Sequence, residues 1–167
     1  LTVTLDALNA KLDLLNEKCI VNHSSYFGAT NNNYTEFDKL DKHRVCGIKL
    51  FMGSSTGNML VDKMNSLLNI FKGTDMLIAA HCEDQETIKN NIEKYKQKYK
   101  GADDIPVSAH PSIRSVPACY ASSELAVRLA KIAGARLHIL HVSTAKELQL
   151  FSDEPLANKN ITAEACV

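Results

Sequence analysis

The 167-residue chain carries 19 basic and 19 acidic side chains, a balance that excludes the strong one-sign field of a nucleic-acid binder or of a protein held on an anionic membrane. No apolar run approaches the ~20 residues needed to span a bilayer. The length suffices for one domain with a real core.

Residues 4–18 place Leu5, Leu8, Leu12 and Leu15 at helical spacing. Cys19-Ile20-Val21-Asn22 opens a short strand that runs toward Tyr26-Phe27-Gly28. Asn31-Asn32-Asn33 reads as a polar loop and Tyr34 to His43 as a helix. Gly47 to Met52 is a strand, followed by the glycine-punctuated loop Gly53 to Asn58. Val61 to Phe71 is an amphipathic helix ending near Gly73, and Met76 to His81 a strand. Residues 85–100 form a lysine-rich helix whose pattern is that of a solvated outer face. Asp103 to Ser115 is irregular, with Pro106 and Pro111. Pro117 to Ala133 is a helix with Pro in its first turn and Gly134 at its C-cap position. Arg136 to Val142 is a strand, Thr144 to Phe151 a helix, and Ile161 to Val167 the last strand.

Strands alternating with helices argue for an α/β fold with a parallel sheet and right-handed crossovers. Five short apolar strands fit an open doubly wound sheet or part of a barrel. No GxGxxG follows a strand and no GxxxxGK[ST] occurs, so a nucleotide-binding doubly wound domain is the weaker choice. The chain opens on Leu1-Thr2-Val3-Thr4 without an initiator Met and stops on a strand at Val167. It is therefore expected to be cut at both ends. The five cysteines (Cys19, Cys46, Cys82, Cys119, Cys166) form no CxxC pair, which indicates neither a disulfide framework nor a thiolate zinc site. They suit a reducing, cytoplasmic setting.

Three strands place a metal-capable side chain near their C-terminal ends: Lys49, His81 and His141. Strand alternation groups Gly47, Lys49 and Phe51 on one face, then Leu77, Ala79 and His81, then Leu137, Ile139 and His141, with His138 pointing away. In a barrel the three can converge at the mouth, where (β/α)₈ enzymes keep their chemistry. Two neutral imidazoles suit zinc. A lysine whose pKa is depressed by burial can add carbon dioxide and become a carbamate, a carboxylate-like bridge between two ions. Each residue also has a plain reading, as a satisfied core histidine or a lysine reaching solvent.

Glu83 and Asp84 follow His81 and are candidates to orient it. His110-Pro111-Ser112-Ile113-Arg114 offers a cation for an anionic substrate, or a loop ion pair. Asn22 and His23 end the first expected strand and are placed at the mouth or in a surface loop. His43 is expected in solvent. Ser54, Ser55 and Ser143 have no histidine–acid partner set, so serine nucleophilic chemistry is not favoured.

The stretches Gly47 to Met52, Ala80 to Asp84 and Leu140 to Thr144 resemble the cyclic amidohydrolases. Tyr26 to Asn33, Phe51 to Asp62 and Ile161 to Glu164 narrow the resemblance to the dihydroorotase family in its bacterial, Bacteroides-like form. The resemblance implies that residues 1–167 are the central part of one (β/α)₈ barrel domain, roughly strands three to seven. It implies a binuclear zinc centre, with Lys49 as the carboxylated bridge and His81 and His141 on the second metal. The implied reaction is reversible cyclisation of N-carbamoyl-L-aspartate to L-dihydroorotate in pyrimidine synthesis. The family's first-strand His-x-His pair, its substrate-carboxylate arginine and asparagine, and its eighth-strand general-base aspartate have no counterpart between Leu1 and Val167. No general base is therefore assigned within the chain, which is expected to be inactive alone, with Lys49 unmodified. Two exposed barrel edges would favour a homo-oligomer; neither nucleic acid nor membrane is an expected partner. The alternatives are a dihydropyrimidinase, hydantoinase or allantoinase, a non-catalytic scaffold of the same fold, and a metal-free five-stranded binding domain.

Overall fold

A computed structural model describes residues 1–53, 55, 57–100 and 104–165. The expectations for Ser54, for Thr56 in the glycine-punctuated loop, for the start of the irregular stretch at Asp103, and for Cys166 and Val167 lie outside these residues.

Five strands, β1 (Ser25–Gly28), β2 (Val45–Phe51), β3 (Ile78–His81), β4 (Leu137–Val142) and β5 (Ile161–Ala165), form one sheet in the order β1-β2-β3-β4-β5. Every neighbouring pair is parallel. Spatial order follows chain order without reversal, so there is no topological switch point of the doubly wound kind. Right-handed crossovers between such strands place the connecting helices on one face.

That face is the core. Ile48, Leu50, Ile78, Ala80, Leu137 and Ile139 pair across β2, β3 and β4 and are all buried. Against them pack α2 (Met64–Lys72), through Leu67, Ile70 and Phe71, and α5 (Val116–Ala133), through Ala126, Val127, Leu129 and Ala130. The small residues Ala118, Ser122, Ser123 and Ala126 of α5 are also buried, the side-chain size that brings a helix close to a sheet. Pro117 stands in the first turn of α5, and Gly134 ends it in the left-handed conformation, φ 66°, where a Cβ would be strained. The outer helix α3 (Gln85–Lys98) buries only Ile88, in keeping with a solvated face.

Several boundaries differ from the sequence expectation. The first strand begins at Ser25, not Cys19. Ile20 and Val21 are solvent-exposed, because α1 (Leu5–Lys18) already fills that side of the core through Leu8 and Leu12. The expected helix Tyr34–His43 is a 3₁₀ segment ending at Lys39, anchored by Phe37, whose ring meets Phe27 edge-on at 6.0 Å. The helix expected from Val61 starts at Met64. Leu60 bridges Phe51 and the Val61 N–H donates to Phe51 O, which keeps these residues extended beside the end of β2. Thr144–Phe151 contains a 3₁₀ helix over Ala145–Leu150. The asparagine loop is a polar clamp: Asn33 Nδ2 donates to Val3 O and Gly28 O, and Asn31 Nδ2 donates to Asp62 Oδ1. Among the described residues no helix is long and apolar enough to cross a membrane.

Candidate functional site

The face of the sheet opposite the helices carries the chemistry. Register sets its rows: Lys49 opposes Ala79, which opposes His138, which opposes Thr162; Phe51 opposes His81. Lys49 and His81 therefore share a face. His138 shares it too, which corrects the expectation that it points away. Simple alternation instead puts the position of His141 with Leu137 and Ile139, on the helix-covered face.

His141 nevertheless reaches His81. Its φ is +42°, and the β4–β5 register shifts between Ile139 and Val142. The bulge re-aims the side chain, so that His141 Nε2 lies 3.0 Å from His81 Nδ1. The rings meet at an interplanar angle of 60° with centroids 4.9 Å apart. On the far side of His81, Nε2 lies 2.8 Å from Glu83 Oε2, to which it donates. The Arg114 guanidinium donates to the same Glu83 oxygen. Burial raises the Glu83 pKa, but the hydrogen bonds from His81 and Arg114 outweigh it and hold the carboxyl at about 2. Glu83 thus stays ionised and fixes His81 as the Nε2–H tautomer with Nδ1 outward, the arrangement common behind metal-ligating histidines. Gly53 is required here: a Cβ on it would sit 2.2 Å from Glu83 O, so only glycine lets the loop after β2 cross that backbone.

Lys49 lies two residues before the end of β2. Its Nζ rests 3.8 Å from the centre of the Phe51 ring and donates to Leu50 O at 3.3 Å. Burial, partly opposed by Cys82 and Glu164, lowers its pKa to about 8. Phe51 in turn stacks at a tilt on His81, centroids 5.7 Å apart. The structure thus joins His81 to His141 directly, and Lys49 to them only through Phe51. The histidine pair borders a cavity of about 120 Å³, while Lys49 faces a separate open hollow of about 650 Å³.

The remaining candidates separate by position. Asp84 accepts from Thr87 N–H and caps α3. Arg114 is Glu83's partner, and His110 is exposed on the single turn α4 (His110–Ile113). Asn22 and His23 precede β1, at the opposite end of the strands from His81, because that strand starts later than expected; His23 bonds Val21 O and Asn16 Oδ1. His43 is exposed in a turn. Ser143 borders the small cavity beside Cys119. Two further carboxylates stand near the site. Glu147 is buried and accepts from Ser123 Oγ at 2.6 Å and Thr144 Oγ1 at 2.7 Å. Glu164 accepts from the His141 N–H and the His138 ring. The Thr-x-x-Glu spacing was a signal for the first; nothing short-range marks the second.

As a donor set, two imidazole nitrogens aimed at one point fit part of a metal's shell. On a tetrahedral zinc, nitrogens bound at ~2.0–2.1 Å lie roughly 3.3 Å apart, close to the observed separation. Among the described residues no three His, Cys, Asp or Glu side chains gather to complete it.

No protein-family model matches the chain. Over 177 aligned positions, 99% of the chain, it is 26% identical to an allantoinase from Escherichia coli K12, of which it covers 37%. It superposes on the L-hydantoinase (dihydropyrimidinase) from Arthrobacter aurescens with a TM-score of 0.85 and 25% identity, covering 98% of this chain and 36% of that one. The chain is thus similar, at distant identity, to enzymes named as hydrolases of cyclic amides. It spans little more than a third of these relatives' length, and its five parallel strands form part of their barrel. A dihydropyrimidinase from Brevibacillus agri shows the same fold, at a TM-score of 0.71 and 19% identity over 95% of this chain and 36% of that one. The names of these relatives favour the dihydropyrimidinase, hydantoinase and allantoinase alternative over dihydroorotase.

Proposed function

We propose that this chain supplies the bridging lysine and one metal's histidine pair to an enzyme that hydrolyses a small cyclic amide. The observation that carries the reading is the facing of His81 Nδ1 and His141 Nε2, with Glu83 and Arg114 fixed behind His81. His81 and His141 would hold one ion. Lys49, whose amine is half neutral near pH 8, would bridge as a carbamate formed with carbon dioxide. Zinc bound there would activate water and polarise the ring carbonyl.

The chain's own residues do the orienting. Glu83 keeps the His81 lone pair outward, Arg114 helps keep Glu83 ionised, and the Phe51 ring lies against the Lys49 amine. The chain corresponds to about strands three to seven of the barrel, and the general base and the other metal's ligands lie outside it. On this reading it is inactive alone, with Lys49 unmodified. The four described cysteines are free, which suits a cytoplasmic setting. The open edges of β1 and β5 invite association with another copy.

The substrate class is a five- or six-membered ring containing an amide or ureide. Dihydroorotate, made from N-carbamoyl-L-aspartate in pyrimidine synthesis, is a narrower reading, carried by the stretch Phe51 to Asp62. The test is a panel of allantoin, hydantoin, dihydrouracil and dihydroorotate, offered to the zinc-loaded polypeptide joined to barrel sequence on both sides. Ring opening of at least one, lost in H81A and H141A, is expected. No ring opening of any would overturn the proposal.

A further inference from the structure

The turn at His141 is held in an unusual way. A non-glycine residue at φ +42° is strained and persists only where its surroundings over-determine it. The neighbouring strand shows what does so. Ile139 pairs with Ala163 and Val142 with Ala165, so β4 spends one residue more than β5 between the two pairs. The extra residue disrupts the ladder locally. Glu164 stands in that gap. Its Oε1 accepts the His141 N–H at 3.3 Å, and its Oε2 takes His138 Nε2 at 3.3 Å. His138 is held from its other nitrogen by Thr162 Oγ1 at 2.8 Å.

We propose that Glu164 is a positioning residue: its carboxylate replaces the missing ladder bond and fixes the left-handed turn that brings the His141 ring to His81. His138 and Thr162 act behind it, holding the second oxygen so that the first stays on the backbone. The proposal rests on reading His81 and His141 as paired ligands, but its primary readout needs no metal.

The experiment is residue-resolved amide hydrogen exchange and ring-to-ring contact by NMR on the metal-free chain, in wild type, E164A, E164D and E164Q. Zinc titration of each follows. In E164A the His141 amide is expected to exchange at least tenfold faster, the His81–His141 ring contact to disappear, and zinc to bind about tenfold more weakly. Gln keeps an acceptor oxygen of the same reach and is expected to restore all three. Asp withdraws that oxygen by one methylene and is expected to behave as Ala, so the result stands even where Ala does not fold. Wild-type exchange at His141 in both E164A and E164D would overturn the proposal. The predicted exchange pattern with no zinc binding by wild type would uphold the positioning role and count against the ligand reading.

Discussion

His81 Nδ1 and His141 Nε2 share one proton across 3.0 Å. One ring must donate and the other accept. Because His81 gives its Nε2–H to Glu83, its Nδ1 accepts, and His141 donates from Nε2. On the proposed reading a metal would take the place of that proton between the same two nitrogens.

Glu83 makes the site acid-sensitive. Its folded pKa of about 2 lies below the ordinary 4.5, so its contribution to stability is complete above pH 4.5 and is lost as the pH falls through about 2. Urea unfolding between pH 5 and 2 is expected to show wild type losing stability more steeply than E83Q. Parallel curves would contradict this. At neutral pH, Glu83→Ala removes one acceptor from Arg114 and frees His81 to change tautomer, and is expected to cost roughly 1–2 kcal/mol.

The backbone at His141 predicts an inverted preference. In an ordinary strand alanine is more stable than glycine by about 0.5–1 kcal/mol. At φ +42° the order reverses, so His141→Gly is expected to be more stable than His141→Ala by about 1 kcal/mol. Both variants lose the ring, so the comparison isolates the backbone. Alanine ahead of glycine in chemical denaturation would show that the turn is absent.

Lys49 is expected to react as a neutral amine well below the ordinary lysine value of 10.5. Its pKa of about 8, set by burial, predicts half-maximal labelling by cyanate near pH 8. The folded state binds fewer protons than the unfolded state between about 8 and 10.5, so the cost of burying Lys49 is present below pH 8 and is relieved as the pH rises. Peptide mapping after brief labelling across pH 7–10 checks this. Half-maximal labelling of Lys49 at the ordinary lysine value of 10.5 would contradict it.

Much of this was legible in the sequence because strands and helices alternate with clear periods. The five strands, the C-cap at Gly134 and the shared face of Lys49 and His81 follow from period-two and period-3.6 patterns. The failures are equally specific. Alternation places His141 beside His81, but β4 does not keep that alternation; a bulge brings it there, and bulges leave no periodic trace. His138 was turned away for the same reason. The late start of β1 was hidden because Cys19-Ile20-Val21 has strand composition, while the helix before it already covers the core. Glu164 became visible only across strands, since its partners are 23 and 26 residues away. Glu83 was legible as a neighbour of His81, but Arg114, 31 residues downstream, was not legible as its partner.

The most direct test of the metal reading is zinc titration of the ¹⁵N-histidine-labelled chain. Before zinc, His81 and His141 are expected as Nε2–H tautomers. With zinc, His81 Nδ1 and His141 Nε2 take the metal-bound shift and the His141 proton moves to Nδ1, while His23, His43 and His110 stay unchanged. Zinc shifts confined to those three exposed histidines, with the His81–His141 hydrogen bond intact, would contradict the account.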